Sequence, residues 1–240
     1  MDERTSAQET DNARAYHALK RTVLAGGFRP GEVVTLRSLA ERLAFGDTPV
    51  REAIKRLISE GAFEALPNRS ARVPVLDRRE VQQILELRVE LEGRAAALAA
   101  RNISLAQIEQ LQGLHQAMER ALAADDADRY GELNMAFHFE MYRIADNRTL
   151  ATLIEALWLR MAPLVTRTRT LIAREAVGAW DVACGQHAAL LAALQRRDTE
   201  AARAAMREDL CSLTRLDGYW TLIEETPVES TLTQRSRSSP

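Results

Sequence analysis

Apolar residues recur at helical spacing along most of the chain, but the breaks between them change character near residue 77. Before that point the stripes are short. Ala15, Leu19 and Val23 fit one face of a helix starting at about Asp11, which Gly26-Gly27 stops ahead of a Pro30-Gly31 turn. Leu36, Leu39, Ala40 and Leu43 fit a second, shorter helix. It ends at Phe45-Gly46-Asp47, a break of the length that joins the two helices of a helix-turn-helix. The third helix is expected to open with Thr48 as N-cap and Pro49 at its first position, with Gly61 just past its end. Residues 63–66 and 71–75 read as two strands of a hairpin around Pro67-Asn68-Arg69-Ser70.

After residue 77 the stripes are long and no strand-like alternation interrupts them. They predict helices over 78–101, 104–123, 127–146, 149–175, 179–196 and 198–216, with breaks at Asn102-Ile103-Ser104 and Asp146-Asn147. Pro163 is expected to kink or interrupt the fourth. The fold class is therefore mainly α. A winged helix-turn-helix over 11–76 precedes an antiparallel all-helical bundle over 77–220, with a ligand cavity between its helices. The first ten residues and a Ser/Thr-rich tail over 221–240 are expected to be disordered.

Composition sharpens this picture. A hydrophobic content of 46% in 240 residues supplies cores for two modest domains. No apolar run has the length of a signal peptide or membrane span, so the cytoplasm is expected and a membrane partner is not. Cys184 and Cys211 both fall in helical patterns and read as small buried thiols. Over residues 13–76 eleven Lys and Arg stand against six Asp and Glu, a net +5 in a chain whose total is −2. Such an asymmetry suits a polyanion-binding module, although a solvated basic face has the same count.

In the third helix, Val50, Ala53, Ile54, Leu57 and Ile58 form the inward stripe, leaving Thr48, Arg51, Glu52, Lys55 and Ser59 outward. That face can enter a major groove, with Arg51 suited to guanine edges and Lys55 to phosphates. Arg69 and Arg72 make the hairpin a cationic wing.

The bundle carries polar residues where its stripes turn inward. Asn134 and His138 border the stripe of Tyr130, Leu133, Phe137 and Met141; His187 lies among Leu190, Leu191 and Leu194, and Asp209 among Ala202 and Met206. Four donors from three helices suit Zn²⁺, Ni²⁺ or Mn²⁺ with a position left for an effector. The plainer alternative is a pair of hydrogen-bonded core histidines and an aspartate paired with an arginine. Arg88 lies on the stripe of Val81, Ile84 and Leu91 with Glu92 one turn later. It can form an internal pair with Glu92, and it can also hold an effector carboxylate through its planar fork. His115 reads as a core histidine or a support for the ligands.

Three spaced runs carry a family resemblance: Gly26-Gly27-Phe28-Arg29-Pro30-Gly31, Leu39-Ala40-Glu41-Arg42-Leu43 and Thr48-Pro49-Val50-Arg51-Glu52-Ala53, followed by Leu57 and Gly61. Together they resemble the GntR family of bacterial regulators. Leu87-Arg88 with Glu92, Phe137-His138 and Gln186-His187 resemble the helical effector domain of its FadR-type branch. The resemblance implies a DNA-binding regulator with a winged helix-turn-helix, small carboxylate effectors, and in many members a divalent metal held by an Asp or Asn and three His. Asp209 stands where that set usually has His. Arg37, Thr48 and Arg51 match the family's DNA-contacting positions in type. Gly46-Asp47 replaces the usual Ser-Arg, and Ser70 replaces a wing-tip Gly. Asp47 can accept from cytosine N4, or it can help Thr48 cap the helix.

The function expected is transcription regulation at a double-stranded operator by a homodimer, since two-fold symmetry doubles the bases read. The alternative is a helical-bundle metalloenzyme with an accessory DNA-binding domain, for which the sequence has no Glu-x-x-His pair. A helical adaptor has no use for the helix-turn-helix.

Overall fold

The computed structural model describes residues 3–67, 70–174, 179–215 and 218–224, excepting the side chains of 3–10, 165–184 and 213. Helix α1 (Glu3–Leu24) leads to strand β1 (Val33–Thr35), helices α2 (Leu36–Leu43) and α3 (Asp47–Ser59), and strands β2 (Glu64–Leu66) and β3 (Ser70–Arg72). Seven helices follow: α4 (Arg78–Asn102), α5 (Leu105–Ala123), α6 (Ala127–Ile144), α7 (Arg148–Arg174), α8 (Ala179–Gln195), α9 (Thr199–Ser212) and α10 (Tyr219–Glu224). A single 3₁₀ turn, Leu213–Arg215, joins the last two.

Local chemistry explains most boundaries. Capping boxes start α2 with Thr35 and Ser38, α4 with Asp77 and Glu80, and α5 with Ser104 and Gln107. At the end of α3, Gly61 takes φ +78°, so that its N–H reaches the Ile58 carbonyl and the Ala62 N–H reaches Leu57. That left-handed turn satisfies two end carbonyls, and only glycine enters it without strain.

Several boundaries differ from expectation. Helix α1 begins at Glu3 rather than Asp11: residues 3–10 lack an apolar stripe, but Glu3, Ala7, Gln8 and Glu9 favour helix, and lengthening a helix needs no new nucleus. The N-cap of α3 is Gly46, with no side-chain cap, so Thr48 is not the cap. Asp47 occupies the first turn, where the helix dipole favours a carboxylate, and Pro49 is tolerated because first-turn N–H groups have no helical partner. Helix α7 runs through Pro163 without interruption, held by buried Leu159, Ala162 and Leu164 on either side. Helix α9 stops at Ser212, short of residue 216. The tail expected from residue 221 overlaps α10, which buries Tyr219 and Ile223 against Leu76, Val81, Ile84, Met161 and Leu164.

Strand β1 was not foreseen. Its three residues alternate exposed, buried, exposed, and they pair antiparallel with β3 in a sheet of order β1-β3-β2. The wing strands are shorter than expected, with β3 ending at Arg72.

Helix α4 is the axis of the bundle, packed by α6, α7, α8 and α9. Its Ala95, Ala96 and Ala99 are buried, as are Ala202 and Ala205 of α9, and small side chains bring helix axes close. Helix α1 rests on α3 and on α7, and the buried side chains of both halves form one continuous cluster. Among the described residues no helix is long and apolar enough to cross a membrane.

Candidate functional site

Helices α6, α8 and α9 each contribute one donor to a cluster enclosed by the bundle. His138 and His187 are fully buried and Asp209 is 12% exposed. The two imidazole Nε2 atoms lie 3.2 Å apart, and the Asp209 carboxylate oxygens lie 3.4 Å from His138 and 3.5 Å from His187. Donor atoms of all three fall within 4.8 Å of one another. Asn134 sits half-buried one turn before His138 on α6. His115, on α5, has its ring centroid 6.4 Å from that of His187, and its enclosed Nδ1 has no hydrogen-bond partner among the described residues.

Neighbouring groups set the state of these donors. The Tyr142 hydroxyl donates to Glu92, so its oxygen can only accept from His138 Nδ1, 3.4 Å away. That leaves the lone pair of His138 on Nε2, facing the cluster. Burial, the neighbouring His187 and the Arg88 charge hold the His138 imidazole well below its ordinary pKa, hence neutral. Burial and the Glu92 charge push Asp209 up to about 7, with Arg88 opposing.

The donor set fits a metal ion. A tetrahedral ion with bonds of about 2.1 Å holds its donors about 3.4 Å apart. The two imidazole nitrogens lie within 0.2 Å of that value, while one Asp209 oxygen lies 3.4 Å from His138 and the other 3.5 Å from His187, so that one donor atom from each residue falls within 4.8 Å of the others. Two imidazoles and a carboxylate are also the ligand types that Zn²⁺ and Ni²⁺ take, and an ion would offset the cost of ionising Asp209 in a buried place.

Against this cluster lies a second polar group that the sequence revealed only in part. Glu92, fully buried, accepts from Arg88 Nε at 2.6 Å, Trp158 Nε1 at 3.1 Å and the Tyr142 hydroxyl. The expected Arg88–Glu92 pair is present, and the guanidinium also stacks over Trp158 at 4.6 Å. Among the described residues its two terminal nitrogens make no hydrogen bond. Tyr142 and Trp158 were missed, yet both carried a signal: Tyr142 follows His138 by four, and Trp158 extends the Leu150, Ile154 stripe. A cleft of about 370 Å³ opens where α6 meets α7, with Phe139, Tyr142, Arg148 and Glu155 in its wall.

In the N-terminal half, Val50, Ala53, Ile54 and Leu57 bury the inner face of α3, and Asp47, Thr48 and Lys55 are exposed on the other. Arg37 is exposed on α2. Three of the expected DNA-contacting cations hold carboxylates: Arg37 with Glu41 at 3.0 Å, Lys55 with Glu52 at 2.8 Å, and Arg72 with Glu64 at 2.6 Å across the wing strands. Arg51 differs from expectation in being half-buried, with Nε enclosed and unpartnered among the described residues. Arg69 and the Cys184 side chain lie outside the described residues; Cys211 is a free, half-buried thiol.

Residues 12–73 match the family model of bacterial regulatory proteins, gntR family, and residues 83–211 match that of the FCD domain. The chain belongs to the GntR family of bacterial regulators. Its FCD match covers all three clustered donors. The HTH-type transcriptional regulator McbR of Escherichia coli K12 is 31% identical over 194 residues, covering 79% of this chain and 85% of McbR. The HTH-type transcriptional repressor RspR of the same strain is 29% identical over 200 residues, covering 83% of this chain and 85% of RspR. The solved structure of E. coli McbR/YncC matches with a TM-score of 0.76 at 30% identity, over 83% of this chain and 93% of that one. This GntR chain is a DNA-binding transcription regulator with a ligand-responsive helical domain.

Proposed function

We propose that the protein represses transcription as a homodimer in the cytoplasm and is released from its operator by a small carboxylate bound in the helical domain. The observation that carries the ligand half is the meeting of His138, His187 and Asp209 beside Arg88. His138, His187 and Asp209, with Asn134 as fourth donor, would hold one Zn²⁺, Ni²⁺ or Mn²⁺ ion. When bound, that ion supplies a Lewis-acidic anchor for a carboxylate oxygen. Arg88 keeps its Nε on Glu92 and offers its terminal N–H groups to the second oxygen. Repression follows the name of RspR and is the sense expected of a regulator whose ligand loosens DNA binding.

The DNA half assigns α3 to the major groove, with Arg37, Asp47, Thr48, Arg51 and Lys55 at the bases and phosphates and Arg69 and Arg72 on the wing. The units 11–76 and 77–220 divide these tasks. Elemental analysis of protein purified without a metal-affinity tag tests the metal site. About one equivalent of metal, with a melting temperature lowered by chelator and restored by Zn²⁺, is expected. Metal-free protein indifferent to all three ions would refute the site and leave the DNA assignment standing.

A further inference from the structure

A half-buried polar cluster joins the two halves at the junction of α1, α3 and α7. The Tyr16 hydroxyl donates to both oxygens of Glu60, at 2.7 and 2.9 Å, and accepts from Lys20 Nζ at 2.8 Å. Lys20, 12% exposed, also bonds Glu155 of α7 at 2.7 Å. The Arg56 guanidinium covers the Tyr16 ring at 3.7 Å and bonds Glu60 at 3.1 Å. Arg56 belongs to the last turn of α3, and Glu60 caps its end. A Cβ at Gly61, the next residue, would meet the Arg160 side chain of α7 at 3.5 Å.

The same stretch of α7 reaches the ligand site. Trp158, three residues after Glu155, donates to Glu92, lies under Arg88 and has its ring centroid 5.5 Å from that of His138. One helical turn therefore carries both the contact to the site and, through Lys20 of α1, the link to Glu60 at the end of the recognition helix. Exposed ion pairs contribute little, but here the lysine is nearly enclosed and shared between acids from both halves.

We propose that Tyr16, Lys20, Glu60 and Glu155 form a latch through which occupancy of the helical site, transmitted by Trp158 and α7, resets the recognition helix α3. The latch rests on the metal-site assignment above. A ligand that moves Trp158 shifts Glu155, and Lys20 must then redistribute between Glu155 and the Tyr16–Glu60 pair. Both arrangements keep the ammonium paired, which allows two discrete settings of α3.

Hydrogen exchange of the full chain, with and without Zn²⁺ as the only added ligand, tests this. In the parent, Zn²⁺ should slow exchange in peptides spanning 134–142 and 187–194, and by roughly tenfold at 56–62. Glu155→Gln and Tyr16→Phe each remove a latch bond while keeping shape. Both should retain the slowing at the site and lose that at 56–62 to within about twofold. A tenfold response persisting at 56–62 in Tyr16→Phe, or in folded Glu155→Gln, overturns the latch, as does a parent protected at the site but not at 56–62. Absence of protection at 134–142 and 187–194 in the parent instead refutes the metal site, and the latch falls with it.

Discussion

Glu92→Gln exchanges one oxygen for an amino group in a fully buried polar residue of the bundle, and its cost follows from the bonds it disturbs. The amide keeps the volume and one acceptor, so no cavity forms. It removes the charge opposite Arg88, whose side chain is only 11% exposed, and puts an N–H donor in place of one of the two oxygens, of which one accepts from Arg88 and Trp158 and the other from Tyr142. Removing one partner of a buried ion pair costs about 3–5 kcal/mol. Total stability is on the order of 5–15 kcal/mol. For a chain of this length the loss corresponds to a fall of roughly 10 °C in melting temperature. Exchanging both partners for apolar residues strands no charge, so Arg88→Met with Glu92→Leu should be more stable than Glu92→Gln, although the Trp158 and Tyr142 donors stay unpaired. Urea and thermal unfolding of metal-free protein measure both. A loss below about 1 kcal/mol for Glu92→Gln, the range of an exposed pair, or a double variant no better than the single, would refute the buried-pair account.

Asp209→Asn should act in opposite directions with and without metal. In metal-free protein the Asp209 pKa is raised to about 7 from an ordinary value of 3.8, so between those values the unfolded chain ionises first and stability falls as pH rises. The asparagine removes that fall and should leave metal-free protein more stable than the parent at pH 8 but not at pH 4. The same variant should lose its Zn²⁺-induced gain in melting temperature; an unchanged gain would remove Asp209 from the site. His138 works the other way: its lowered pKa contributes stability above pH 6.5 that is lost on acidification, so His138→Gln should flatten the acid limb of the metal-free stability curve. On DNA, Arg51→Ala should cost about 1–3 kcal/mol on the specific operator, measured by anisotropy at fixed salt. Lys55→Ala should weaken binding to all sequences and lower the salt slope by about one; a sequence-selective loss would make Lys55 a base reader instead.

Sequence alone determined the elements whose signals are local. Helix stops at Gly26 and Gly61 and the inward stripe of α3 can each be read within a few residues, because a helical turn spans only four. The same periodicity turned His138, His187 and Asp209 toward the interior. Their meeting was decided by tertiary structure, since residues 138, 187 and 209 converge only when α6, α8 and α9 settle around α4. Tertiary structure likewise chose Tyr142 and Trp158 as the donors to Glu92. It paired β1 with a strand more than thirty residues away and buried Tyr219 and Ile223 of α10, a helix too short to show a stripe. The cap of α3 passed from Thr48 to Gly46 because that choice depends on the backbone angles reached after α2, not on which side chain caps best. Periodicity records which way a side chain faces; the neighbour it meets depends on how distant helices pack, and no local pattern encodes that.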